Sequence, residues 1–213
     1  RGVFLAKTWR MHPTICDFDS EMFYETRLTA VDGLQNQKIE GNTIYQGSGL
    51  FFKPVQHEGN NNTSEEEIDE IEKIVSELTK GDVFWIDEKN EKHPVTSQGI
   101  KIITPYNSNV FELQKRLPDY ESGTVDKFQG QEAPIIIYSM ASSTPEDAPR
   151  GMDFLYSPNR FNVAVSRARA IFILVGSPNL FEPDCHAPNQ IKLANPFCRY
   201  LEVANQKPVE KVM

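Results

Sequence analysis

The stretch GTVDKFQGQE, Gly123 to Glu132, followed at once by the apolar run IIIYSM from Ile135 to Met140, decides the fold. A continuous β-branched run without polar alternation marks a strand covered on both faces, the habit of parallel sheets. Ahead of it, Thr124 and Asp126 flank Val125, so a strand with alternating faces is predicted over Thr124–Asp126. Gly130 suits a tight turn and close approach of a ligand. Gln129 and Glu132 are then polar groups between two central strands. Buried polar groups persist only when they pair or touch a ligand.

Outward from this stretch, short apolar runs alternate with helical periodicity. Further strands are predicted at Val3–Lys7, Leu50–Val55, Ile100–Thr104 and Ile171–Val175. Helices are predicted from Pro13 to Tyr24, over Asn107–Leu117, Asn159–Ala168 and Ile191–Ala204, and after Ser64, where Glu67 completes a capping box and Ile68, Ile71, Val75 and Leu78 form a stripe. This alternation is that of an α/β fold, a mainly parallel sheet with flanking helices. The segment near 57–97 reads as a solvated acidic loop, a helix and a hairpin. Val83–Ile86 followed by Asp87 and Glu88 has the look of a strand and magnesium-binding acids, but the turn-like Lys89 to Lys92 favours the hairpin. No G-x-x-x-x-G-K-[ST] occurs, so the chain has no P-loop of its own with which to cradle phosphates.

Composition sets wide bounds. The 213 residues suffice for one buried core, no apolar run approaches a membrane span, and three scattered cysteines (Cys16, Cys185, Cys198) exclude a disulfide framework, which points to a reducing, cytoplasmic setting. Cys185 and His186 lack the spaced partners of a zinc site, so no metal ligand set is expected. The chain opens at Arg1 and reads as a piece of something longer. Its net charge is −8, yet twelve acids against four lysines between His57 and Lys92 account for all of it. A neutral remainder permits a nucleic-acid groove without demonstrating one.

Two more constellations carry chemistry. WRMHP, Trp9 to Pro13, follows the first strand and sets Arg10 at the carboxyl edge of a parallel sheet, where such folds bind ligands. In NVAVSRAR, Asn162 to Arg169, cations gather just ahead of the buried strand FILVG; capping a helix dipole is the plainer account of Arg167 and Arg169.

In this order, WRMHP, ITPYNSNVFEL (103–113), GTVDKFQGQE with IIIYSM, and NVAVSRAR with FILVG resemble successive motifs of the second RecA-like motor domain in the Upf-like branch of superfamily 1 helicases. The resemblance covers Val3 to Pro178. FYETRL, the run from Ser142 to Arg169, and LFEPDC look most like bacterial proteins in which such a helicase is fused to a RecB-like nuclease. It implies one RecA-like domain over 1–205 with a tail at 206–213, lacking a Walker A. It also implies ATP and Mg2+ held mainly by a first RecA-like domain of the same polypeptide, with Arg10 and Arg167 reaching the phosphates as catalytic arginines. Gln129, Gly130 and Glu132 would stand beside the nucleotide. Thr104, Pro105, Tyr106, Asn107, Thr124 and Val125 match positions that meet the backbone of single-stranded nucleic acid, DNA favoured, with 5′ to 3′ polarity. Trp9 departs from the family's usual Tyr. The alternative reading is a degenerate motor domain that binds nucleic acid or protein without hydrolysing ATP.

Overall fold

Ala133–Ser139 and Ala168–Gly176 lie side by side in the middle of a five-stranded sheet, and the rest of the chain is arranged around that pair. The computed structural model describes residues 4–205; Val3 of the first predicted strand and the 206–213 tail lie outside the described residues. In chain order the elements are β1 (Lys7–Thr8), α1 (Pro13–Phe23), β2 (Thr29–Ala30), β3 (Lys38–Gly41), β4 (Gly49–Pro54), α2 (Glu65–Leu78), β5 (Val83–Ile86) and β6 (Lys92–Pro94). There follow β7 (Ile100–Ile103), α3 (Asn107–Arg116), β8 (Glu121–Gly123), β9 (Ala133–Ser139), α4 (Met152–Leu155), α5 (Pro158–Val165), β10 (Ala168–Gly176) and α6 (Pro188–Asn205).

The main sheet has the order β4-β10-β9-β7-β8 and every pairing in it is parallel. Its two faces are separate cores. Ile136, Tyr138, Phe172 and Leu174 face one side with α1, α5 and α6; Ile135, Ile137, Ile171, Ile173 and Val175 face the other with α2 and α3. Alternate residues therefore serve opposite cores, which is why both strands are apolar throughout. The hairpin expected after residue 82 is present: β5 pairs antiparallel with β6 and with β3 in a small second sheet.

Three expectations change. First, Thr124–Asp126 is not a strand. The strand is Glu121–Gly123, and Thr124 caps a 3-10 turn over Val125–Phe128, closed by the Lys127 N–H donating to the Thr124 carbonyl at 3.0 Å. Val125 and Phe128, three apart, are both buried, so the period here is three rather than two. Second, the first strand shrinks to Lys7–Thr8 and pairs with β2 in a ladder outside the main sheet. Arg10 consequently reaches the main sheet through His12, whose N–H donates to the Arg169 carbonyl at 2.8 Å. Third, α5 ends at Val165 rather than Ala168, so Arg167 lies in the connection and Arg169 in β10. Neither arginine caps a helix from within its last turn.

Phe161 on α5 is fully buried within a ring cluster that includes Phe18, Tyr138, Phe172, Phe197 and Tyr200. Phe161→Ala is expected to lower unfolding free energy by about 3–5 kcal/mol, measured by chemical denaturation. A loss within 1 kcal/mol would show that this face of the sheet is not tightly packed.

Candidate functional site

The connection between α5 and β10, Ser166 and Arg167, is held by hydrogen bonds it both donates and accepts. Arg167 donates from Nε to the Val163 carbonyl at 2.9 Å, from Nη1 to the Gln131 carbonyl at 3.4 Å and from Nη2 to Ser166 Oγ at 3.1 Å. Arg10 donates from Nη1 to the Ser166 carbonyl at 2.9 Å and from Nε to Glu132 Oε2 at 2.5 Å. Ser166 thus touches both arginines. Glu132 also reaches Arg169, at 3.7 Å, while Arg169 pairs with Glu88 and donates from Nε to the buried Gln37 at 3.1 Å. Gln37 in turn donates to the Arg10 carbonyl at 2.7 Å, so the backbone of WRMHP is fixed to β10 through one amide.

Of these residues, Arg10, Glu132, Ser166 and Arg167 line one cleft of about 560 Å³, together with Thr8, Trp9 and Asp19 among others. Trp9 is 79% exposed at its edge. The Arg10–Glu132 side chains are 28% and 41% exposed, so their bridge contributes under about 1 kcal/mol and serves mainly to aim the guanidinium. Arg167 is more enclosed. Burial lowers its pKa, neighbouring Arg10 lowers it further, and Glu132 and Asp19 oppose them. Both carboxylate oxygens of Asp19, on α1, are buried without a hydrogen-bond partner. Burial pushes the Asp19 carboxyl up to about 7, against the pull of Arg167.

The resemblance implies Gln129, Gly130 and Glu132 beside the nucleotide. Only Glu132 lines the cleft. Gln129 and Glu132 are not buried between central strands: both are exposed, in the connection from the 3-10 turn to β9, so the requirement for buried partners falls away. Gly130 has φ +83° with nothing within 4 Å of where a Cβ would stand, so the turn needs glycine for its backbone angle and not for a close approach. Ser166, Gln37 and Asp19 were not anticipated. Asp19 alone left a signal, a carboxylate four residues after Ile15 on the apolar stripe of α1.

The predicted nucleic-acid residues gather at the carboxyl ends of β7 and β8, but most point inward. Thr104, Pro105, Tyr106 and Val125 are buried, Thr124 is half-buried and Asn107 is exposed. Thr104 Oγ1 accepts from Asn109 Nδ2 at 3.0 Å, and Tyr106 OH accepts from Ser142 Oγ at 3.3 Å. Asn109 also donates to Ser139 Oγ at 2.9 Å, and Ser139 donates to Glu67 Oε2 at 2.6 Å. Glu67 is the hub. Besides Ser139 it accepts from the Ala141 N–H at 3.0 Å and meets His57 Nε2 at 3.0 Å, both side chains fully buried. The capping box is therefore half made: Ser64 Oγ accepts from the Glu67 N–H at 3.1 Å, but the Glu67 carboxylate turns inward and Asn109 Oδ1 takes the Ser64 N–H.

The four motifs fold into one α/β domain with a parallel central sheet, and two of them bring Arg10 and Arg167 to a shared cleft. The chain matches the AAA_12 family, described as AAA domain, over residues 1–179, and it belongs to that family. It is 31% identical over 194 residues to Helicase sen1 of Schizosaccharomyces pombe, a match spanning 84% of this chain and 11% of that protein. It is 28% identical to the Regulator of nonsense transcripts 1 homolog of Neurospora crassa, over 83% of this chain and 17% of that protein. The chain thus spans less than a fifth of either relative. Among solved structures it is similar to the C-terminal domain of a possible DNA helicase from Lactobacillus plantarum, at 13% identity and a TM-score of 0.46, covering 87% of this chain and 94% of that one. No described helix is long and apolar enough to cross a membrane.

Because Glu67 ties α2 to His57 in the preceding loop and to Ser139 and Ala141 at the end of β9, Glu67→Ala is expected to cost about 3–5 kcal/mol, the penalty for stranding a buried partner. Glu65→Ala, exposed on the same helix, is expected to stay within about 0.5 kcal/mol. Equal effects in paired denaturant titrations would refute the hub.

Proposed function

We propose that this domain is the second motor domain of an ATP-driven nucleic-acid helicase, acting with a first RecA-like domain that carries the P-loop, ATP and Mg2+. The observation that supports this most is the pair of guanidiniums, Arg10 and Arg167, brought to one cleft from residues 157 positions apart. A planar fork matches two phosphate oxygens, and it matters most where charge develops on the transferring phosphoryl group. The residues suit ATP phosphates but not the metal: of the carboxylates lining the cleft, Glu132 is engaged by arginines and Asp19 is buried. Mg2+ therefore belongs to the first domain. Trp9 offers an exposed ring at the rim.

On this reading the strand track lies at the carboxyl ends of β7 and β8. Asn107 and Thr124 present side chains there; Thr104, Pro105, Tyr106 and Val125 shape the track from beneath, held by the Glu67 network. Contacts of this kind hold sugar and phosphate without reading sequence, as a motor requires. The motif details favour DNA, 5′ to 3′ movement and a fused nuclease, and tailed DNA and RNA duplexes assayed for unwinding decide between tracks and directions.

In a polypeptide carrying both motor domains, Arg167→Ala is expected to keep nucleotide affinity within a few-fold and to lower ATP turnover by roughly 10³-fold or more. Undiminished hydrolysis would overturn the assignment.

A further inference from the structure

Asp19 is a costly residue for its position. It occupies the core face of α1 with Ile15, Cys16 and Phe18, is 0% exposed, and has no donor for either carboxylate oxygen. An apolar side chain would fill the same place without that penalty. Yet it lines the cleft that holds both arginines. Of those two, Arg10 has a carboxylate partner in Glu132, whereas Arg167 is bonded to two carbonyls and a hydroxyl, all neutral. Asp19 is the other carboxylate lining that cleft.

We propose that Asp19 is a positioning residue for Arg167: a buried counter-charge that retains the guanidinium in the cleft wall and gives up its charge, by taking a proton, when a phosphate arrives. This rests on the reading that the cleft receives ATP phosphates. Around Asp19 the cleft presents Lys7 and Arg10 from the β1 side, Arg167 beyond α5, Glu132 ahead of β9 and Tyr24 just past the end of α1, while Cys16 and Asp17 stand near it on its own helix. From α6, Arg199 goes instead to Glu21 on the outer side of α1. With Asp19 ionised, Lys7, Arg10 and Arg167 face two carboxylates, Asp19 and Glu132, which offset most of their charge before an incoming phosphate arrives. With Asp19 protonated, the site carries one more net positive charge and Arg167 is free to turn outward. The proton comes from solvent and no covalent bond changes.

The signs follow. Phosphate binding favours protonated Asp19, so nucleotide affinity is full below about pH 7 and declines as pH rises through it. Stability moves the same way: the folded-state carboxyl sits above its unfolded value of 3.8, so its contribution is full below that value and is lost as pH rises through about 7.

The test compares wild type, Asp19→Asn and Arg167→Ala in the two-domain polypeptide, measuring affinity for a non-hydrolysable ATP analogue by calorimetry between pH 6 and 8.5. Titration of the analogue is common to all and cancels in the ratios. Wild-type affinity is expected to fall about tenfold more than that of Asp19→Asn over this range, one unit of linked shift. Melting temperatures of the nucleotide-free proteins supply a second readout, with wild type falling across the range and Asp19→Asn level. Parallel affinity profiles would overturn the proposal even if Arg167→Ala abolishes turnover. Normal turnover by Arg167→Ala would overturn it together with the functional reading. Should Asp19→Asn fold poorly, Asp19→Ser removes the same charge and is held to the same comparison.

Discussion

The register between β9 and β10 governs the site. Ala168 stands opposite Ala133, but two steps later in β9 and three steps later in β10 the partners are Ile135 and Ile171. One extra residue is accommodated in β10, a bulge that re-aims the side chains around it. Arg169 lies within it and turns to Glu88 and Glu132 instead of into a core. Immediately before, the Ala133 N–H donates to the Arg167 carbonyl at 3.1 Å, which sets Arg167 against the Gln131–Glu132 connection. His12 joins the same strand through Arg169. Three motifs distant in sequence therefore meet at the first residues of one strand.

That convergence concentrates positive charge. Burial lowers the pKa of Arg167, and the neighbouring Arg10 lowers it further. The site tolerates this because each guanidinium is satisfied by fixed oxygens: carbonyls of Val163, Gln131 and Ser166, the Ser166 hydroxyl and Glu132. Donors held by backbone carbonyls have little reorganisation left to do, which is the condition for electrostatic stabilisation of a developing charge. Exposed bridges nearby add little stability; their value is geometric.

Much of this was legible in the sequence. The apolar runs of β4, β7, β9 and β10 gave the parallel sheet because a strand buried on both faces leaves no polar alternation. Arg10, Arg167 and Glu132 could be singled out from their motifs, and all three line the cleft. What the residues hid was short-range geometry. Thr124, Val125 and Asp126 alone fit a strand's alternation; Phe128, three residues after Val125 and buried with it, and the hydrogen bond from Lys127 to Thr124 belong to a 3-10 turn. Ser64 and Glu67 fit a capping box, but the box is outweighed by buried partners for the Glu67 carboxylate: His57, and the donors Ser139 and Ala141, which lie more than seventy positions away. Thr104 and Tyr106 looked like contact residues, and the same long-range network turns them inward. Asp19 was hidden by its helix, where one acid on an apolar stripe is easily passed over.

The central claim is that this domain completes an ATP site with two guanidiniums. A structure of the two-domain polypeptide with ADP and a fluoroaluminate mimic of the transferring phosphoryl group tests it most directly. The guanidiniums of Arg10 and Arg167 should both lie within about 3 Å of the mimic's fluorines, with Arg167 released from Val163 or Gln131. Arginines still bonded only to Ser166, Val163, Gln131 and Glu132, with the mimic bound elsewhere, would contradict it.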